Sequence, residues 1–302
     1  MHFKFATIIF VTGDYLLVHY GYSGDSLAPS LTLYREGADT FEHFTPRHNP
    51  ITLQFDKSQR YCTGWHDLAT GESFPCPDRA VLPAQFSQCR HCQNKTGFNP
   101  AFYNASSVSP QQQARNAEPH FLYLAHFAPG VVKVGISWAN RGIRRLLDQG
   151  ARSALIIKTY PTATVARQYE AKIARLDGIA ETLQVKAKHK LMGYTYDPVA
   201  GAAELTAVRE RLAAECGVHA DDNQPLHLDS HYLDSTALAK PIILHGENRI
   251  SGNCIGMMGS TLLTEQDGEQ YGLCVSDFIG YPVTISDTLT QNTHAPQQAS
   301  LF

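Results

Sequence analysis

No run of apolar residues in this 302-residue chain approaches the roughly 18 that a membrane-spanning helix needs. The N-terminal run "ATIIFVTG" is broken by Gly13 and Asp14 and lacks a small-residue cleavage site, so we interpret it as a strand and not as a signal peptide. No internal repeat is present. Together with a hydrophobic fraction of 43% and a charged fraction of 18%, these absences indicate an ordinary soluble globular protein without a membrane partner.

Cysteine occurs seven times, and an odd count argues against a secreted disulfide framework. We therefore expect a cytoplasmic protein. Cys216, Cys254 and Cys274 are scattered, and we interpret them as small core residues or idle thiols. The other four are close together in the sequence and form what we call the cysteine cluster: Cys62, Cys76, Cys89 and Cys92.

The cysteine cluster ends in a C-x2-C knuckle, a spacing that places two thiolates on one Zn²⁺ ion around a tight turn. The surrounding segment is short and rich in turn residues, so a structural metal would supply stability that its small core lacks. Four thiolates would leave no open position for catalysis. His66 or His91 in place of one cysteine is an alternative, as are two disulfides or free thiols.

The order of sequence patterns predicts an α+β protein with a zinc-binding segment and β-rich N- and C-terminal regions. The predicted units are a β-rich region over 1–56, the zinc-binding segment over 57–100, an αβ module over 120–180, a helix over 200–217, a β-rich region over 240–286 and a disordered tail over 291–302. Whether the two β-rich regions form one structure is left open by the sequence.

The module over 120–180 has the predicted order ββαβα. "HFLYLAHF" and "VVKVGIS" indicate two strands joined by the turn "APG". "NRGIRRLLDQ" indicates a helix that ends at Gly150, and "ALIIKTY" indicates a third strand. "TATVARQYEAKIARL" indicates a second helix that ends at Gly178.

Positive charge is concentrated between Val131 and Lys190. This window holds twelve Lys or Arg residues and four carboxylates, a net charge of +8, so the remainder of the chain carries −11 of the formal total of −3. Such segregation is typical of a basic face that binds polyanions, although a solvated helix surface is the simpler alternative. The predicted nucleic-acid-binding residues are Arg141, Arg144, Arg152, Arg167 and Lys172.

The pattern "LYLAHFAPGVVKVGIS…RRLLDQG…ARQYEAKI" resembles the GIY-YIG nuclease superfamily. In that family the first strand carries a tyrosine, matched by Tyr123, and the second carries Tyr-Ile-Gly, matched by Lys133, Val134 and Gly135. The chain is most similar to a bacterial family in which a cysteine cluster precedes a "KVGIT…R…DQGA" module, over roughly residues 60 to 176. The resemblance implies a GIY-YIG-like fold for the ββαβα module and cleavage of phosphodiester bonds in nucleic acid.

The resemblance implies roles for three residues. Glu170 would hold a catalytic Mg²⁺ or Mn²⁺ ion, Arg145 would bind the phosphate through its planar fork, and Tyr123 would position or deprotonate the attacking water. Arg145 matches because it stands three residues before the Asp of "DQGA", although Arg141 and Arg144 remain alternatives.

Helical spacing predicts that Glu170 borders the buried stripe of its helix without being buried. This position suits a metal ligand. The alternative is a surface Glu170 that pairs with Arg167 or Lys172.

Lys133 replaces the second tyrosine of the family motif. Its ammonium would favour the phenolate of Tyr123 and lower the pKa of that side chain. Alternatively, Lys133 holds the scissile phosphate as a point charge, or catalysis has been lost and the fold only binds.

The leading interpretation is therefore a cytoplasmic, zinc-stabilised, GIY-YIG-like endonuclease that acts on DNA or structured nucleic acid, with Lys133 among the catalytic residues. A non-catalytic nucleic-acid-binding protein with the same fold and basic face is the second interpretation. A protein-interaction scaffold built on the β-rich regions is the third.

The C-terminal peptide Gln298-Ala299-Ser300-Leu301-Phe302 resembles the motif by which bacterial DNA-processing enzymes bind the replication sliding clamp. Two apolar anchors, Leu301 and Phe302, follow a glutamine amide that can make directional hydrogen bonds. This tail favours DNA over RNA as the partner. The alternative is a frayed end whose two apolar residues pack on the domain.

Overall fold

The computed structural model describes residues 7–8, 13–38, 40–98, 108–233 and 240–293. In that part of the chain, no helix is both long and apolar enough to cross a membrane. The architecture is α+β, with helices, many strands and β-rich terminal regions, as the sequence predicts.

In the described part of the N-terminal region, the regular elements are β-strands. Its strands are β1 (Thr7–Ile8), β2 (Gly13–Ser23), β3 (Ala28–Arg35), β4 (Thr40–Phe44) and β5 (Pro50–Phe55). The next segment, over 57–98, has two short strand pairs and one helix. Its elements are β6 (Arg60–Tyr61), β7 (Trp65–His66), β8 (Ser73–Phe74), β9 (Val81–Leu82) and α1 (Arg90–Thr96).

The middle of the chain contains the predicted ββαβα order. After α2 (Pro110–Asn116) come β10 (His120–Ala128), β11 (Val131–Trp138), a 3-10 turn (Ala139–Arg141), α3 (Arg144–Gln149), β12 (Ser153–Tyr160) and α4 (Ala163–Ile173). α3 ends at Gly150, which adopts the left-handed conformation, as expected. α4 ends five residues before Gly178, because the backbone turns at 173–176 with Leu176 N–H donating to Ile173 O at 3.0 Å.

Short strands and helices follow the ββαβα unit. They are β13 (Ile179–Ala180), α5 (Val185–Leu191), α6 (Pro198–Cys216), β14 (Leu226–His227) and α7 (Asp229–Tyr232). α6 is the helix predicted over 200–217, and Asp197 caps its N-terminus by accepting from Val199 N–H at 2.9 Å. The module sheet has the strand order β13-β11-β10-β12-β14.

The C-terminal strands complete the N-terminal sheet. They are β15 (Ile242–Ile243), β16 (Arg249–Met258), β17 (Thr261–Gln266), β18 (Glu269–Cys274) and β19 (Pro282–Ser286). The resulting ten-stranded sheet has the order β1-β4-β3-β2-β19-β5-β16-β17-β18-β15. β19 pairs with both β2 and β5, so the two β-rich regions form one sheet. This answers the question that the sequence left open.

The module sheet is covered on both faces, because side chains alternate along β10. Leu122 and Leu124 belong to the core shared with α4 and α6. Phe121, Tyr123 and Ala125 belong to the core shared with α3 and the ten-stranded sheet. The predicted catalytic tyrosine therefore lies on the face of the module that is turned toward the ten-stranded sheet.

Candidate functional site

The four thiols of the cysteine cluster meet at one point. Their sulfur atoms all lie within 4.8 Å of one another, and among the described residues no histidine or carboxylate belongs to the group. The sulfurs of Cys76 and Cys89 are 3.9 Å apart, close to the roughly 3.8 Å between ligands of a tetrahedral site with Zn–S bonds of about 2.3 Å. All seven cysteines are free thiols. The arrangement can hold a metal ion.

Backbone N–H groups point at the cluster sulfurs. Cys89 N–H donates to Cys62 Sγ at 3.1 Å, and Cys92 N–H is 3.5 Å from Cys89 Sγ at the start of α1. Such donors stabilise thiolates bound to a metal. Burial raises the pKa of the Cys62 thiol to about 11, so a cation that binds here displaces protons from neutral thiols.

Gly64 is required for the shape of this segment. It has φ +86°, and a Cβ on it would overlap the carbonyl of Phe74 in the neighbouring strand pair. The apolar residues packed against the cysteines are few, namely Trp65, Ala80 and Leu82. The segment thus has the small core that the sequence predicts, centred on the four thiols.

A second group of residues forms around Tyr123. Tyr123 on β10 is paired in register with Gly135 on β11, and its side chain is fully buried. Within the described residues its hydroxyl has no hydrogen bond of normal geometry, although the Arg145 guanidinium lies close enough to act on it. A poorly satisfied buried hydroxyl is costly and needs an explanation, and a catalytic role is one such explanation.

Burial raises the pKa of Tyr123, and the nearby charge of Arg145 opposes that effect. The negative charge of Glu170 raises this pKa further. The prediction that Lys133 makes Tyr123 more acidic is therefore wrong: the net change in the pKa of Tyr123 is upward, and the cations that oppose it are Arg145 and, more weakly, Arg141.

Lys133 is buried on β11, and its Nζ donates to the carbonyl of Val134 at 3.0 Å. Burial lowers the pKa of Lys133, Arg145 lowers it further, and Glu170 raises it. The same two charged residues thus act on both Tyr123 and Lys133. Arg145 on α3 and Glu170 on α4 therefore lie close enough to Tyr123 on β10 and Lys133 on β11 for their charges to affect both side chains.

Glu170 is buried, with 5% of its surface exposed, and this corrects the expectation that it only borders the core. Its carboxylate forms an ion pair with Arg167, one helical turn earlier on α4. Arg167 also binds Glu181 at 2.7 Å. The predicted metal ligand, Glu170, therefore already has a cationic partner. The guanidinium of Arg167 is in turn paired with two carboxylates.

The predicted nucleic-acid-binding residues differ in accessibility. Arg141, Arg144 and Lys172 are exposed. Arg152 is only 3% exposed and is bound by Asp229 through its Nε and Nη2, with Nε–O distances of 3.1 Å. The prediction that Arg152 contacts nucleic acid is therefore wrong, because its guanidinium is enclosed by the fold.

The "DQGA" motif, Asp148–Ala151, is a contact between the module and the ten-stranded sheet. A Cβ on Gly150 would lie 3.3 Å from the backbone N of Gly259, in the turn between β16 and β17. Asp148 forms an ion pair with Arg141 at 2.5 Å. The motif that carries much of the resemblance thus also has a packing role that sequence reasoning missed.

The tail residues Gln298, Leu301 and Phe302 lie outside the described residues.

The fold and the thiol geometry define an α+β protein with a four-cysteine site that can hold a metal ion, joined to a ββαβα module. Residues 85–283 match the model of the family described as "Protein of unknown function (DUF2797)". The match covers about two thirds of the chain, and the protein belongs to this family. No curated protein and no solved structure matches the chain.

Proposed function

We propose that this protein is a divalent-metal-dependent endonuclease of the GIY-YIG type that acts on DNA or structured nucleic acid. The supporting observation is that Tyr123 and Lys133 are both influenced by the same pair of charges, Arg145 and Glu170. These residues come from four separate elements. A phenol, two cations and a carboxylate are the groups that phosphodiester hydrolysis needs in one place.

The residue types suit defined tasks in that reaction. Arg145 binds two phosphate oxygens through its planar guanidinium and stabilises the charge that develops there. The Tyr123 hydroxyl, which lies near Arg145, accepts or donates the hydrogen bond that orients the attacking water. Because its pKa is raised, Tyr123 enters the reaction as a neutral phenol. Lys133 adds a second positive charge near the phosphate.

Glu170 is the residue that would hold a Mg²⁺ or Mn²⁺ ion. Mg²⁺ is commonly bound by one or two carboxylates together with waters and substrate phosphates, so a single carboxylate fits this ion. Arg167 would have to release Glu170 and remain with Glu181. When bound, the metal supplies Lewis-acid stabilisation of the phosphoryl oxygen.

A non-catalytic nucleic-acid-binding protein is the second candidate. Three observations favour it: the burial of Tyr123, the Arg167–Glu170 ion pair and the lysine at position 133. Cleavage assays with Mg²⁺ or Mn²⁺ distinguish the two candidates. Metal-dependent cleavage that Glu170→Gln abolishes supports the enzyme. Binding without cleavage in both proteins supports the second candidate.

We further propose that the cysteine cluster holds a structural Zn²⁺ ion. Four thiols around one point fill a tetrahedral coordination shell and leave no position for a substrate. Free thiols and a zinc–thiolate site both require a reducing compartment, so we propose the cytoplasm as the location. Metal analysis of protein purified under reducing conditions tests the zinc assignment, and a zinc content near zero contradicts it.

The C-terminal tail supports the proposal of DNA as the substrate and the sliding clamp as a partner. The residues concerned are Gln298, Leu301 and Phe302. The test is titration of a peptide spanning 291–302 against purified sliding clamp, with Leu301→Ala and Phe302→Ala peptides as controls. Binding in the micromolar range that both substitutions weaken supports the proposal. Binding that is absent, or indifferent to both, removes this partner.

A further inference from the structure

A pocket of about 200 Å³ lies where the module meets the ten-stranded sheet. On the module side its wall includes Asp148 and Lys188, from α3 and α5. On the sheet side it includes the hydroxyl-bearing residues Tyr20, Ser260 and Thr261. A single water needs only about 10–15 Å³ of such volume, so the pocket has room for a polar ligand with several atoms.

Lys188 is a cation in the wall of this pocket. Its Nζ donates to the carbonyl of Gln149 at 2.7 Å and lies 5.3 Å from the centre of the Phe127 ring. An ammonium group has three N–H donors, so two remain. Among the residues that the structure describes, no carboxylate lies within ion-pair distance of Lys188.

Two further cations act on Lys188. Burial, together with the positive charges of Lys133 and Arg145, lowers the pKa of Lys188 to about 8. Over the same described ranges, Lys133 has no carboxylate partner within ion-pair distance either. Lys133 and Arg145 are thus near enough to Lys188 for their positive charges to act on it, although neither lines the pocket.

The nearby carboxylates are already bound by other arginines. Asp148 pairs with Arg141, and Glu170 pairs with Arg167. Arg152, which also lines the pocket, is neutralised by Asp229. Half-buried positive charges that lack a counter-ion are costly in the free protein, and an anionic ligand would remove that cost.

We propose that Lys188 and the pocket beside it bind a phosphate group, and that the charges of Lys133 and Arg145 add to the positive potential at Lys188. A phosphate is small enough for the pocket, carries the required negative charge and accepts hydrogen bonds from an ammonium group and from hydroxyls. The nucleic-acid form of this proposal rests on the proposed function, because the phosphate would then belong to the bound strand. The other source is a free phosphorylated small molecule.

The test is binding of inorganic phosphate to the full chain by isothermal titration calorimetry. The variants are Lys188→Met, which removes the charge, and Lys190→Met, which removes an exposed lysine from the same region of the chain. We expect saturable millimolar binding to the wild type and to Lys190→Met, and at least tenfold weaker binding to Lys188→Met. Absence of saturable binding to the wild type, or equal binding to all three proteins, overturns the proposal.

A measurement on the wild type alone guards against misfolding of the variant. Sulfate keeps a constant charge between pH 6.5 and 9.5, so any change in its affinity over this range reflects a change in the protonation of the protein. The ionisable groups facing the pocket are Tyr20, Asp148, Arg152 and Lys188, with Lys133 and Arg145 beyond it. Lys188 loses its proton as the pH rises through about 8, so sulfate affinity should fall severalfold over that range. Unchanged affinity contradicts the proposal.

Competition identifies the source of the phosphate. The competitor is an oligonucleotide without terminal phosphates. If it displaces inorganic phosphate, the pocket binds a backbone phosphate of the nucleic-acid strand. If phosphate binding depends on Lys188 but the oligonucleotide does not compete, the pocket binds a free phosphorylated compound. Neither assay uses cleavage, so an inactive nuclease site leaves the result for this pocket unaffected.

Discussion

The ring of Tyr123 occupies the space that a side chain on Gly135 would need. A Cβ added to Gly135 would lie 2.5 Å from Cζ of Tyr123, well inside van der Waals contact. The glycine of the "KVGIS" motif is therefore explained by the tyrosine opposite it on β10. The two residues therefore pack as one unit. Because Gly135 has no side chain, the ring of Tyr123 can lie against its backbone, and this sets the position of the hydroxyl.

We predict that Gly135→Ala destabilises the protein by about 1–3 kcal/mol, because the added methyl group overpacks a buried contact and displaces the tyrosine ring. Urea denaturation measures the change in the free energy of unfolding. Gly21→Ala is the matched control: a Cβ added to this strand glycine would make only ordinary contacts of 3.5 Å or more, so its effect should be smaller. Equal effects at the two positions would contradict this account of the motif.

The order of the module elements was predictable because the signals are local. A turn between β10 and β11, the glycine that ends α3 and the alternating apolar residues all lie within a few positions of the structures they specify. The ten-stranded sheet depends on contacts between distant parts of the chain. β19 inserts between β2 and β5 after more than 200 intervening residues, and no local pattern specifies that pairing.

Dependence on contacts between distant parts of the chain also limited how well the sequence predicted the site. Arg152 and Lys188 look like members of a basic surface in the sequence, but in the structure Arg152 is buried against Asp229 and Lys188 lines the pocket beside the β16–β17 turn. The burial of Glu170 follows from packing around α4 that its helical spacing alone does not determine. The cysteine cluster was predictable because its C-x2-C knuckle is itself a local signature of a metal site.

For the cysteine cluster, we predict about one Zn²⁺ ion per chain in the wild type and a large loss of zinc in Cys89→Ser. Because few apolar side chains support this segment, residues 57–98 should lose their structure while the module over 120–176 stays folded. Metal analysis and limited proteolysis measure the two effects. Cys216→Ser, outside the cluster, should retain the metal. A zinc-free wild type under reducing conditions would rule out this assignment.

For the ion pair on α4, we predict that Arg167→Ala strengthens binding of Mn²⁺ to Glu170, because a competing cation has been removed. The variant should also lose about 1–3 kcal/mol of stability in the absence of metal, since a buried carboxylate loses a partner. The readout is the rise in melting temperature on addition of Mn²⁺, compared with Arg175→Ala, an exposed position beyond the same helix. An identical rise in all proteins would contradict the assignment of Glu170 as a metal ligand.

For the basic face, we predict that affinity for a DNA duplex falls steeply between about 50 and 200 mM salt. Arg144→Ala, at an exposed position, should weaken binding and reduce the slope of log affinity against log salt by about one, without changing stability. Arg152→Met should instead cost about 3–5 kcal/mol of stability, because Asp229 is left buried without its partner. Affinity that is independent of salt would show that these cations do not contact phosphates.

The central claim is that the residues around Tyr123 cleave phosphodiester bonds with a divalent metal bound at Glu170. The most direct test incubates the purified chain with branched, single-stranded and duplex DNA, and with structured RNA, in Mg²⁺, Mn²⁺ or EDTA. Tyr123→Phe, Arg145→Ala and Glu170→Gln are run alongside Lys190→Met. We predict metal-dependent cleavage of at least one substrate by the wild type and Lys190→Met, with a loss of at least about 100-fold in the other three variants. Cleavage that persists in Glu170→Gln, or no cleavage by a wild type that binds the same substrates, would contradict the claim.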